Sequence, residues 1–136
     1  VTGVGAPSTP PPPPRRGPVP AATIAGYARI VLEQPGALPT ASWARAVAVL
    51  GRQALERAID ERWDAHEPQM RRVRNQTARL VALRHVPWFD AELAGRAAYT
   101  WSALSEACHH HVYDYPPTAG ELDRWLGVVD EVLAAS

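Results

Sequence analysis

Residues 116–133 read PPTAGELDRWLGVVDEVL, and their reading decides the fold. Two prolines end whatever comes before. Thr118 then stands three residues ahead of Glu121, the spacing of a capping box, in which hydroxyl and carboxylate satisfy each other's backbone N–H groups. Leu122, Trp125, Leu126, Val129 and Leu133 follow at intervals of three and four. The stretch therefore predicts a helix that starts at a defined point and buries one face.

The same period recurs upstream. A fourth helix is expected from Asp90 to His110, with Leu93, Ala97, Trp101, Leu104 and Cys108 inward. Before it, a third helix is expected from Glu67 to Arg84, with Pro68 in its first turn and Pro87 forbidding continuation. Its apolar arc would be Met70, Val73, Thr77, Leu80 and Val81. A long second helix is expected over 41–65, capped by Thr40 or Ser42, with Trp43, Val47, Leu50, Ala54, Ala58 and Ile59 as its stripe. A short first helix should cover 21–34 and stop at Pro35-Gly36. No segment alternates with period two, so the chain is predicted to be all-α. The expected architecture is a four-helix up-and-down bundle with an extra short N-terminal helix.

Residues 1–20 include APSTPPPPPRRGPVP and lack side chains able to build a core. They are expected to form a disordered proline-rich arm of polyproline II character, ahead of a helical domain over 21–136. PPPPPRR also resembles ligands of aromatic grooves such as those of SH3 domains, which makes the arm a candidate contact for a protein partner.

The 136 residues carry 14 basic and 14 acidic groups, so charge alone does not imply a nucleic-acid protein. Every basic residue is Arg. Without Lys there is no Schiff-base amine and no phosphate-binding P-loop lysine. One cysteine cannot form an internal disulfide. With no signal-peptide pattern and no apolar run near membrane-spanning length, the expectation is a soluble cytoplasmic chain that does not contact membrane.

Three polar features invite chemistry. His109, His110 and His111 follow Cys108 where the fourth helix should end. Consecutive helical side chains diverge by about 100°, so three in a row cannot grip one metal. Cys108 and His111, or His111 and Asp114, have helical spacing, yet would need His66 or His85 to complete a site. A metal-binding protein is thus a second alternative, and no metal or other cofactor is expected. Imidazoles in a last turn suit the negative end of the helix dipole, and one facing a cleft could transfer protons. The second feature is RRVRNQTARLVALRH, where a continuous helix would place Arg71, Arg72, Asn75 and Arg79 on one basic face fit for phosphates. The third is the acidic set Asp60, Glu61, Asp64 and Glu67, expected to pair with Arg57 and Arg62. Trp88 is expected to act as a hydrophobic staple ahead of an Asp90 cap, with a dimer surface as the other reading.

The segment YTWSALSEACHHHVYDYPPTAGELDRWLGVVDEVL resembles the C-terminal half of HEPN domains: a helix ending in a His-x-Tyr motif, here His111 and Tyr113, then a turn and a capped last helix. RQALERAIDERW resembles an early helix of that family, so the resemblance spans roughly 40–134. It implies a homodimer that binds RNA or protein. The alternative it implies is a metal-independent ribonuclease of toxin or defence type. There a His among His109, His110 and His111, with Tyr113, would act with an Arg across the dimer cleft. The family's arginine lies four to six intervening residues before the histidine. Measured from His111 those positions hold Leu104, Ser105 and Glu106, and counting from His109 or His110 also finds no Arg. Arg79 from a neighbouring helix or subunit is the candidate substitute. Catalytic competence is left open by this departure.

Overall fold

A computed structural model describes every residue except 1, 2, 4, 6, 7, 15, 16, 35, 110–114 and 136. Among the described residues the chain is all-α. Its helices are α1 (Ala21–Leu32), α2 (Thr40–His66), α3 (Gln76–Leu83), α4 (Ala91–Cys108) and α5 (Ala119–Ala134), with a short 3₁₀ helix over Pro68–Arg72.

α2 is the spine, and α1, α4 and α5 all pack on it. Its stripe is wider than apolar periodicity implies. Besides Trp43, Val47, Ala54, Ala58 and Ile59, it buries Ala44, Ala48 and Leu55 completely. Small residues carry a weak hydrophobic signal, yet they let neighbouring helices come close. Gly51 is the extreme case. A Cβ there would lie 3.2 Å from Leu126 Cδ2 and 3.3 Å from Leu104 Cδ2, so α4 and α5 both rest on bare backbone. α1 uses the same device, burying Ala21, Ala25 and Ala28 at spacings of four and three.

Cross-contacts fix which ends meet. The Trp43 indole donates to the Val31 carbonyl at 2.7 Å, joining the end of α1 to the start of α2. The Ala21 N–H donates to Glu61 Oε1 at 2.9 Å, joining the start of α1 to the last turns of α2. Arg62 donates to the Ala135 carbonyl, bringing the end of α5 to that same place. Trp101 reaches Glu56, whereas Cys108 lies in the field of Arg52 and Arg45. α4 therefore runs against α2, and α5 runs with it.

Helix starts follow side-chain chemistry where it exists. Thr118 and Glu121 form the complete capping box, with the Glu121 N–H to Thr118 Oγ1 at 3.1 Å and the reciprocal bond at 3.2 Å. Asp90 caps α4 through the Leu93 N–H at 3.0 Å. The N-cap of α2, by contrast, is Pro39, with Thr40 already helical and no side-chain cap, so neither Thr40 nor Ser42 plays the expected role.

The third helix differs most from expectation. It breaks into the 3₁₀ turn over Pro68–Arg72, an irregular link over 73–75, and α3. The reason is Asn75. Its side chain accepts the Ala78 N–H at 3.0 Å, a capping bond that starts a new helix and competes with continuation of the old one. With only eight residues, α3 packs on α4 and is not a full-length bundle member. Trp88 also differs. It packs edge-on against Trp63 at 5.2 Å, stacks on His66 at 4.1 Å and donates to Glu67 Oε2 at 3.0 Å. It pins the loop before α4 to the end of α2.

Candidate interaction groove

The helix α4 ends at Cys108, and His109 closes it through a backbone N–H donated to the Glu106 carbonyl at 3.0 Å. Beyond this point a groove of 990 Å³ opens between the second half of α4 and the start of α5. Its walls carry Trp101, Glu106, His109, Tyr115, Glu121 and Trp125, and Pro116 and Pro117 form one rim.

Each wall residue is placed by its element. Trp101 is held from behind: its indole donates to Glu56 Oε1 at 2.9 Å, and the Arg52 guanidinium lies 5.5 Å from the ring centroid. Arg52 is itself fixed to Glu56 at 3.0 Å. The ring is thus clamped by an Arg–Glu pair on α2 while it lines the groove. Glu121 is oriented by the capping box, and Trp125 stands one turn further along α5. Tyr115 is 97% exposed, a large apolar ring with nothing packed over it. Periodicity assigned Trp101 and Trp125 to the core. Both are only half-buried because they sit at the margins of their stripes. That marginal position was the available signal.

The groove is aromatic and bears acid. Glu106 and Glu121 are carboxylates, and His109 is the one basic side chain among the described lining residues. Cys108 turns the other way, into the core, where burial pushes its thiol up despite Arg52 nearby.

Of the residues expected to form an active site, the two described ones, His109 and Arg79, lie apart. His109 is exposed at the groove mouth. His110, His111 and Tyr113 lie outside the described residues. Arg79 is buried and ion-paired to Asp60 at 2.7 Å, towards the far end of α2 from His109. Within one chain these two are not neighbours. The single basic face expected over Arg71, Arg72, Asn75 and Arg79 does not form, because the segment is not one helix. Arg71 pairs with Asp64 at 2.7 Å, Asn75 is occupied as a cap, and Arg72 is exposed.

The acidic set at the end of α2 finds partners other than those expected. Asp60 takes Arg79, Asp64 takes Arg71, Glu61 takes the Ala21 N–H, and Glu67 takes the Trp88 indole. Arg62 goes to a carbonyl. Sequence spacing reports only neighbours on one helix, and these partners come from other elements. No group of three His, Cys, Asp or Glu able to hold a metal occurs among the described residues. Nor is any helix among them long and apolar enough to cross a membrane. No protein-family model, curated protein or solved structure matches the chain.

Proposed function

We propose that the chain is a HEPN-like helical module that works by binding protein, with the groove between α4 and α5 as its contact site. One observation carries this reading: three aromatic rings and two prolines are gathered around a groove edged by Glu106 and Glu121. Exposed aromatic surface of this kind is what interaction sites use for affinity, and flanking charge sets partner choice. The carboxylates disfavour phosphate at this place, so RNA is the weaker ligand for it. The alternation of helix ends along α1, α2, α4 and α5 supports an up-and-down four-helix bundle, and the exposure of Ser8–Pro14 outside any helix supports a proline-rich arm. The capped last helix supports the HEPN-like reading. The ribonuclease alternative gains nothing from Arg79, which is already paired with Asp60.

The test is a titration followed by tryptophan fluorescence. One probe is an unrelated proline-rich peptide ending in two arginines, and the other is a single-stranded RNA oligomer. Saturable binding of the peptide, weakened by Tyr115→Ala and Glu106→Arg, is expected. Binding of the RNA with none of the peptide would overturn the reading.

A further inference from the structure

The chain itself contains a segment with the chemistry this groove asks for. Ser8–Pro14 are exposed and outside any helix. The run Pro10–Pro14 is followed by Arg15 and Arg16, and residues 1–32 contain no acid. Consecutive prolines are pre-set in polyproline II geometry, so little conformational entropy remains to be lost on binding. Their rings pack on aromatic side chains, and Trp101, Trp125 and Tyr115 line the groove. Two guanidinium groups at one end of the run match in charge the two carboxylates at one groove, Glu106 and Glu121.

Resting on the interaction reading above, we propose that the groove takes the proline-rich arm of a second copy of this chain.

The geometry favours a second copy over the arm's own body. α1 begins beside Glu61 and packs on α2 and α5, whereas the groove's acid rim at Glu106 lies just past Leu104, which rests on Gly51 in the first half of α2. The separation along α2 is about 20 Å at 1.5 Å per residue. Between Arg16 and Ala21 the chain spans at most ~16 Å fully extended. An arm folding back would have to be stretched taut along the bundle for its arginines to touch the acid rim. An arm from another molecule carries no such constraint. Because each copy both offers an arm and owns a groove, reciprocal exchange closes a dimer with two identical contacts.

The experiment is sedimentation of the full chain over a wide concentration range, with two exposed-site variants. In Glu106→Arg the groove is reversed. In the pair Arg15→Glu with Arg16→Glu the arm is reversed. Circular dichroism checks that both keep the fold. Each variant alone should self-associate roughly tenfold more weakly or worse. Mixing the two should restore association, because the acidic arm of one now fits the reversed groove of the other, and the remaining arm and groove are native. That rescue is unavailable to an arm bound within its own chain. A full chain that stays monomeric throughout, or association unmoved by either variant, or no rescue on mixing, overturns the proposal. The unrelated arginine-ended peptide separates the two readings. If it binds while the chain fails these tests, only the self-association falls. If it fails as well, both fall.

Discussion

Glu61 and Arg62 are neighbours on α2 and close opposite ends of two other helices. The Glu61 carboxylate accepts the first N–H of α1, and the Arg62 guanidinium donates to the Ala135 carbonyl just past α5. Each charge also has the sign its helix end favours, negative at the start of α1 and positive at the end of α5. Pro20 cannot cap α1 with a side chain, so the cap arrives from forty residues away.

Glu61→Ala and Arg62→Ala are each expected to cost about 1 kcal/mol, the usual worth of a lost charge-assisted cap. Their partners are separate helix ends, so the double variant should be close to the sum. Urea unfolding checks this, with the midpoint falling and the slope unchanged.

At Gly51 a larger side chain has nowhere to go. Gly51→Leu should destabilise by about 1–3 kcal/mol through overpacking against Leu104 and Leu126. Thermal denaturation reads the effect. Half-buried Gly127 on α5, where a Cβ meets nothing, is the control: Gly127→Ala should raise stability by about 0.5–1 kcal/mol.

Asp60 and Asp64 stand one turn apart and should respond to pH with opposite sign. Arg79 lies 2.7 Å from Asp60 but off the hydrogen-bonding line, leaving Asp60 Oδ1 and Arg79 Nε buried without hydrogen-bond partners. Burial therefore outweighs the attraction and raises the Asp60 carboxyl above its usual value near 3.8. The native state holds that proton more tightly than the unfolded chain does, so stability falls as pH rises through the window just above 3.8. Asp64 is the reverse. Its hydrogen bond from Arg71 holds it below the usual value, so its contribution is present above about 3.8 and lost as pH falls through the lowered value. Urea midpoints across acid pH should show Asp60→Asn removing the first slope and Asp64→Asn the second.

Cys108 faces the core with its thiol pushed up by burial. Alkylation by a neutral thiol reagent at mildly alkaline pH should be slow in the native protein and should reach the rate of a free thiol in denaturing urea. An equally fast reaction without urea would mean that the end of α4 opens readily.

How much of this was legible follows from which residues carry the signal. The Thr118–Glu121 box and the Asp90 cap are local, and both start helices where the sequence places them. The break at Asn75 is local too, but a cap in mid-segment competes with an unbroken apolar period, and periodicity alone favours the wrong outcome. Glu61, Arg62 and Arg79 find partners in other elements, which no helical spacing encodes. The groove was hidden for a related reason: Trp101 and Trp125 satisfy the inward pattern and still leave an edge in solvent. His109 sits at its mouth, as expected of a helix terminus, and brings no arginine of α3 with it.

The meeting of both helical ends at Glu61 and Arg62 has an engineering consequence. Ala21 and Ala135 are tied to consecutive residues, so a short linker could join them and the chain could be reopened at the exposed turn near Gly36 and Ala37. Such a circular permutant would keep every helix contact while moving the new ends to the turn between α1 and α2.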